Sequence, residues 1–181
     1  MRQGDWIQTY SGLAMYPLDP RPEEIELLDI ARALSHLCRF TGHTKRFYSV
    51  AEHSVHCSHI VPPEHALWAL LHDASEAYIS DVSRPLKQLE AFAAYREAEQ
   101  RLQMAICRRF GLSDVQPEAV TQADQIMLAI EARDLLAPLR PGWEKWLEGI
   151  GSVQISVERP WGPERAHSIF LDRAMELGLM P

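Results

Sequence analysis

"LLHDASEAY", residues 70–78, decides the fold because it places ionisable side chains inside a run that is otherwise apolar. The surrounding segment 64–79 is apolar on almost every side, which predicts one helix at the centre of the molecule. Four-residue spacing puts His72 and Glu76 on one face of that helix, with Asp73 beside them. An unpaired charge in such an interior is strongly unfavourable, so these side chains need a partner or a metal ion.

On both sides of this stretch, apolar residues recur at helical spacing and prolines, a capping serine or a glycine mark the ends. The N-terminal "DWIQTYSGLAMYPLDP" predicts a short hairpin or extended arm, and residues 153–157 predict a short strand. The sequence therefore predicts one all-α domain, residues 1–181, a helical bundle of five or six main helices with a short β-like arm. Besides residues 64–79, the predicted helices are 22–40, 50–60, 86–110, 117–136 and 164–179.

Composition limits the classes of partner. A chain of 181 residues with 46% hydrophobic content can bury one full core. The formal net charge of −7 argues against a nucleic-acid-binding surface. No apolar run approaches the length of a membrane span and no signal peptide is seen, so we expect a cytoplasmic protein without membrane contact. Cys38, Cys57 and Cys107 lack the spacing of a zinc cluster and are interpreted as reduced, packed thiols.

A metal site on residues 70–78 needs ligands from other helices, because neighbouring positions cannot supply a full coordination sphere. His53 in "VAEHSV" and Asp124 in "VTQADQIML" are the best candidates, since each is a single ionisable residue in an apolar helical pattern. With His72 and Asp73 they make a set of two histidines and two aspartates. Such a set leaves open positions for water and a phosphate oxygen.

The order H…HD…D on successive helices resembles the HD superfamily of metal-dependent phosphohydrolases. More narrowly, the chain resembles the small bacterial and prophage-encoded 5′-deoxynucleotidases of that superfamily in "RFTGHTKRFYSVAEHS", "LLHDASEAYISDVSRPLK" and "QADQIMLAIEARDL". The likeness covers most of residues 6–136. It implies an HD-domain bundle and hydrolysis of a deoxynucleoside monophosphate, dNMP, to deoxynucleoside and phosphate. It also implies four ligands to one metal ion: His53, His72, Asp73 and Asp124.

The resemblance further implies that Glu76 is the catalytic carboxylate, that Asp81 recognises the sugar and organises the site, and that Arg39 positions the phosphate. From its place one helical turn from His72, Glu76 is expected to act as general acid or base. Lys87 follows the HD segment closely and is a candidate phosphate contact. Phe40 adjoins Arg39 and is a candidate for stacking on the base.

Mixed histidine and carboxylate ligands suit one divalent transition metal ion, namely Zn, Co, Mn, Ni or Fe. One alternative is a deoxynucleoside triphosphate triphosphohydrolase that releases tripolyphosphate, which extra basic contacts from Lys45, Arg46 and Lys87 would favour. Another is a non-catalytic nucleotide-binding sensor, which the complete ligand set with Glu76 disfavours. The expected partner is a small-molecule nucleotide, and the sequence leaves a homodimer open.

Overall fold

Helices dominate the computed structural model, which describes residues 2–151 and 153–180. The fold is all-α in these residues, as predicted, and five of the helices have ten residues or more. Short 3-10 turns at Pro22–Glu24, Arg39–Gly42, Pro63–His65 and Glu90–Phe92 join several of them. The helices are α1 (Leu27–His36), α2 (Val50–Ile60), α3 (Ala66–Leu70), α4 (Glu76–Ile79), α5 (Arg84–Lys87), α6 (Ala93–Arg109), α7 (Glu118–Leu135), α8 (Glu144–Glu148) and α9 (Pro163–Glu176).

The predicted N-terminal arm is a hairpin. Strand β1 (Ile7–Gln8) pairs with β2 (Ala14–Met15) in antiparallel register, Ile7 opposite Met15. The buried carboxylate of Asp29 on α1 accepts hydrogen bonds from the Ser11 amide at 2.6 Å and its hydroxyl at 2.7 Å. The tip of the hairpin is therefore fixed to the bundle by a charged acceptor.

Helix α2 lies at the centre and contacts α1, α3, α7 and α9. Its start follows the sequence prediction, because the Ser49 side chain accepts a hydrogen bond from the Glu52 amide. Later parts of the chain also bind α2. The Trp161 amide donates to the Glu52 carboxylate at 2.8 Å, and the Arg173 guanidinium donates to the Ser58 carbonyl at 3.0 Å.

Two apolar clusters lie on either side of α2. The first joins α1, α2, α3, α4, α6 and α9, and the second joins α2, α3, α6 and α7. Fully buried side chains in the first include Ile30, Leu34, Leu70 and Phe170, and those in the second include Cys57, Met127 and Ile130. Each cluster combines residues from several helices. Helix α2 is therefore held in place by close packing against its neighbours.

Two predicted helices are each divided. Residues 22–40 form a 3-10 turn and then α1, since the backbone at Ile25 and Glu26 is extended. Residues 86–110 are divided between α5 and α6 because Leu89 is extended, and the Arg96 guanidinium binds the carbonyls of Lys87 and Leu89. The predicted glycine stop is confirmed, since Gly111 follows α6 with a φ of 70°.

Two further expectations were wrong. Residues 153–157 form no strand, because the Val157 amide donates to the Asp134 carboxylate and the Ile155 carbonyl accepts from Arg133. The HD helix is also interrupted, with α3 ending at Leu70 and α4 starting at Glu76. In the part of the chain that the structure describes, no helix is both long and apolar enough to cross a membrane.

Candidate metal centre

Two histidines face each other across the centre of the bundle. His53 on α2 donates from Nδ1 to the Glu131 carboxylate at 2.6 Å, and His72 donates from Nδ1 to the Ala69 carbonyl at 2.7 Å. Because both partners can only accept, each ring carries its hydrogen on Nδ1 and turns the Nε2 lone pair inward. The two Nε2 atoms are 3.2 Å apart. Two facing lone pairs repel unless a proton on one ring or a metal ion lies between them.

Two aspartates complete this arrangement. Asp124 Oδ1 on α7 lies 3.2 Å from His53 Nε2, and Asp73 Oδ2 lies 3.3 Å from His72 Nε2 and 3.7 Å from His53 Nε2. Donor atoms bound to one cation at about 2.1 Å are separated by about 3.0 to 3.4 Å at octahedral or tetrahedral angles. Three of the separations, at 3.2 to 3.3 Å, fall in this range, and the one from Asp73 to His53 is longer at 3.7 Å. The four predicted residues therefore lie together around a point where a divalent cation could bind.

The surroundings of His53 favour positive charge. Burial opposes protonation of this ring, but the neighbouring acidic groups outweigh burial and raise the pKa of His53 well above its ordinary value. Asp124 shows the counterpart, since His53 overcomes the effect of burial and lowers its pKa. Without a metal ion, a proton on His53 supplies the charge that the carboxylates require.

Cys57 adds a sulfur atom that the sequence predicted only as a packed thiol. Its Sγ lies 3.5 Å from His53 Nε2, one helical turn along α2. The ligand atoms of His53, Cys57 and His72 all lie within 4.8 Å of one another, so this cluster could hold a metal ion. Burial raises the pKa of the Cys57 thiol, so the sulfur is protonated when no cation is present.

Glu131 is a member of the site that the sequence analysis missed. One of its oxygens binds His53, and the other accepts from Arg39 Nε at 3.1 Å. Burial alone would raise the pKa of Glu131, but Arg39 and His53 outweigh it and keep the pKa below its ordinary value. A signal existed: Glu131 lies seven residues after Asp124, so the two carboxylates occupy the same face of α7.

Arg39 and Phe40 lie beside the metal centre. The Arg39 guanidinium pairs with Glu131 at 3.0 Å and lies 3.6 Å from Asp73, so its charge is already partly neutralised. Phe40 and Thr41 both have a φ of 53°, a left-handed conformation that is uncommon outside glycine. The Arg39 amide holds this turn by donating to the Tyr48 carbonyl at 2.9 Å. Such local strain is typical of functional loops.

Glu76 is buried at the start of α4. Its Oε1 accepts from Lys87 at 3.3 Å, while its Oε2 has no hydrogen-bond partner among the described residues. Burial, with the negative charge of Asp73 and Asp81, raises the pKa of Glu76 well above its ordinary value, and Lys87 opposes that shift only in part. A raised pKa favours the protonated form of a carboxyl group, which is the form that can donate a proton.

Lys87 and Asp81 lie on the same side of the centre. Lys87 bridges Glu76 and Glu99, the latter at 2.6 Å, and Glu99 is a second residue that the sequence analysis missed. Burial is the main cause of a raised pKa at Asp81. The charge of Arg39 opposes this shift and the charge of Asp73 adds to it, so Asp81 is close enough to interact with both. Ser80, just before it, has a φ of 70°. Of the predicted substrate contacts, Arg39, Lys87 and Asp81 therefore lie near the centre, and the Phe40 ring is placed only against Arg39.

A cleft of about 440 Å³ opens beside His72. His72, Asp73 and Lys87 border it, and residues 96–107 of α6 supply one wall. This volume is within the range of small-ligand pockets.

Comparison with known proteins gives relatives but no activity. No protein-family model matches the chain. A protein of Escherichia coli (strain K12) named "Uncharacterized protein YfdR" is 41% identical over 172 residues, which are 95% of each chain. A protein of Rhodobacter capsulatus named "Uncharacterized protein RCAP_rcc00048" is 35% identical over 143 residues, 72% of each chain. At this identity and over this length, the chain belongs to the same protein family as YfdR.

Proposed function

We propose that the chain is an HD-type metal-dependent phosphohydrolase that removes phosphate from 5′-deoxynucleoside monophosphates. The observation that carries the proposal is the convergence of two histidine Nε2 atoms and two aspartate oxygens at separations of 3.2 to 3.7 Å. The order of these residues along the chain and the buried carboxyl group of Glu76 support it, because both match what the resemblance implies.

His53, His72, Asp73 and Asp124 would hold the cation, and their mixed nitrogen and oxygen donors suit Zn, Co, Mn, Ni or Fe. When bound, a divalent cation supplies hydroxide near neutral pH and neutralises part of the negative charge of a phosphate ester. Glu131 fixes the ring of His53 by accepting its Nδ1 hydrogen at 2.6 Å. Such outer partners orient the ligand and raise its basicity.

Glu76 would move the proton. Burial and the nearby acidic groups raise its pKa, which favours the protonated carboxyl group that could donate to the leaving 5′-oxygen. Lys87 holds Glu76 in place and, with Arg39, adds positive charge where the phosphate oxygens would lie. Asp81 would accept a hydrogen bond from the sugar, and Phe40 would pack against the base.

The basic side chains favour one phosphate group over three. Lys87 is already shared between Glu76 and Glu99. Lys45 donates to the Asp134 carbonyl at the end of α7, at 3.4 Å. Neither lysine is therefore free to neutralise a long phosphate tail without breaking a contact.

The deciding experiment measures products from the purified protein loaded separately with Zn, Co, Mn, Ni and Fe. We expect inorganic phosphate from deoxynucleoside monophosphates and little product from dATP. Tripolyphosphate release from dATP would replace the proposal with a triphosphohydrolase. Nucleotide binding without turnover under every metal would replace it with a sensor. Elemental analysis of the protein as isolated identifies the metal it carries.

Single variants separate ligands from the proton donor. Asp73→Ala and His53→Ala should lose bound metal and turnover together, by about 100-fold or more, whereas the control His59→Ala, exposed on the same helix, should keep both. Full metal content and full activity in either ligand variant would remove that residue from the set.

Glu76→Gln should keep the metal and lose turnover by about 100-fold or more. The control is Glu97→Gln, an exposed residue of α6. Unchanged turnover in Glu76→Gln would exclude Glu76 from the chemistry.

A further inference from the structure

The helix that carries His72 and Asp73 is interrupted for five residues, 71–75, between α3 and α4. Hydrogen bonds in this turn join residues three positions apart. The Ala74 amide donates to the Leu71 carbonyl at 3.1 Å, and the Glu76 amide donates to the Asp73 carbonyl at 3.0 Å. These are 3-10 bonds. Residues 66–79 contain neither proline nor glycine, so the usual causes of a helix break are absent from the segment.

The side chain of Gln103 on α6 occupies the break. Its Nε2 donates to the Leu71 carbonyl at 2.8 Å, and its Oε1 accepts from the Ser75 amide at 3.3 Å. In a continuous α-helix the Ser75 amide would donate directly to the Leu71 carbonyl, four residues earlier. The carboxamide of Gln103 therefore lies between the donor and the acceptor of one helical hydrogen bond and satisfies both. Insertion of a side chain into this ladder is a recognised cause of kinks.

Burial makes this insertion necessary for the open turn. Leu71 is fully buried and Ser75 is 3% exposed, so their backbone groups have little access to water. A buried amide or carbonyl without a partner is costly. Without the Gln103 carboxamide, the Leu71 carbonyl would keep only the Ala74 amide and the Ser75 amide would lose its partner. The Ser75 amide would regain one most simply by donating to the Leu71 carbonyl, which would rebuild a regular turn of helix.

The turn matters because it sets the directions of two ligands. Successive side chains are about 100° apart around the axis of an α-helix and about 120° apart in a 3-10 turn, so the change of geometry rotates the two ligands relative to each other. Here His72 Nε2 and Asp73 Oδ2 are 3.3 Å apart and both lie near His53. We propose that Gln103 is a positioning residue of the metal centre, whose carboxamide holds turn 71–75 open and so fixes the directions of His72 and Asp73. The inference rests on the metal centre of the proposed function and not on its nucleotide chemistry.

The test is Co²⁺ titration of Gln103→Leu, which replaces the carboxamide with a somewhat shorter apolar side chain and removes both hydrogen bonds. The matched control is Glu97→Leu, on an exposed residue of α6 that does not border the cleft. We expect Co²⁺ affinity to fall by about tenfold or more in Gln103→Leu and to stay unchanged in the control. The ¹³Cα shifts of residues 71–75 should move to regular helical values, and the melting temperature of the metal-free variant should not fall.

A second variant, Gln103→Glu, keeps the acceptor for the Ser75 amide but places an oxygen against the Leu71 carbonyl. Its Co²⁺ affinity should lie between those of the wild-type protein and Gln103→Leu. A Gln103→Leu protein that binds Co²⁺ as tightly as the wild type would overturn the proposal. So would a variant that loses both Co²⁺ affinity and melting temperature while the ¹³Cα shifts of residues 71–75 stay unchanged. A wild-type protein that bound no Co²⁺ would overturn it too. Failure of the wild-type protein to hydrolyse any nucleotide, with the affinity difference intact, would remove only the proposed function.

Discussion

Glu131 is a fully buried carboxylate whose two oxygens have different partners. One binds the ring of His53, and the other binds the guanidinium of Arg39. A buried charge of this kind is tolerated because both oxygens are satisfied by charged or strongly polar donors. Its effect on the site is to fix which nitrogen of His53 points inward.

Glu76 is a buried carboxyl group whose ionisation is unfavourable in the folded protein. Burial raises its pKa well above the ordinary value, so the folded metal-free protein binds a proton that the unfolded chain has released. Stability from this group therefore falls as the pH rises from about 4 toward the raised folded pKa. We expect Glu76→Gln to melt at a higher temperature than the wild-type protein when both are metal-free, with a larger gain at pH 8 than at pH 5.

Thermal melts in the presence of a chelator at both pH values measure this gain, with Glu97→Gln as the control. A Glu76→Gln protein that melts below the wild type at pH 8 would contradict the expected cost of the ionised carboxylate.

The four proposed ligands were predictable because each is ionisable inside an apolar helical run, and the structure brings them together. Glu131 lies in the same kind of run but was missed. Its partner Arg39 is 92 residues away, and no local pattern encodes that pairing. Cys57 was missed as a neighbour of the centre for a different reason, since a buried thiol looks the same in sequence whether it packs or lies near a metal.

At the level of elements, the positions of the helices along the chain followed the apolar periodicity, whereas three of the six predicted helices are interrupted and therefore shorter than predicted. Turn 71–75 depends on Gln103, which lies 28 and 32 residues from the groups it binds. The break before α6 similarly depends on Arg96 binding two carbonyls of the preceding turn. Tertiary hydrogen bonds override local helix propensity at both places.

One carboxylate ties the end of α7 to the irregular segment 153–157. Asp134 accepts from the Val157 amide at 2.9 Å and pairs with Arg133 at 2.6 Å. Burial opposes ionisation, but these donors outweigh it and lower the pKa of Asp134. A lowered folded pKa stabilises the protein above the unfolded pKa, and this gain is lost as the pH falls through the folded value.

We therefore expect Asp134→Asn to reduce the free energy of unfolding by about 1 kcal/mol at pH 7, and the difference to shrink below about pH 4. Urea denaturation between pH 7 and pH 3 measures it. Asp114→Asn, a half-exposed aspartate, is the control and should change little. A difference that grew on acidification would contradict the proposed tether.

Across the whole molecule, α6 supports two parts of the site from one face. Arg96, Glu99 and Gln103 follow each other at intervals of three and four residues, so they share a face of the helix. Arg96 and Glu99 bind the turn that carries Lys87, and Gln103 binds turn 71–75. One straight helix therefore sets the distance between these two turns.

Metal binding should raise the free energy of unfolding of the whole protein. A ligand at about 100 times its dissociation constant adds about 2.7 kcal/mol to the folded state. For a chain of this size, this corresponds to a rise in melting temperature of about 5 to 11 °C. We expect that rise for the wild-type protein and for His59→Ala with Co²⁺, and none for His53→Ala. An equal rise in His53→Ala would show that Co²⁺ binds elsewhere.

The contacts of α2 with later residues have a consequence for how the protein is made. The Glu52 carboxylate binds the Trp161 amide, which is 109 residues later in the chain, and the Ser58 carbonyl binds Arg173, which is 115 residues later. Until these residues are available, the helix that carries His53 lacks both contacts and the cover of α9 on one apolar side. We therefore expect the metal centre to reach its final geometry only after the C-terminal residues have been synthesised, although its own residues come earlier in the chain.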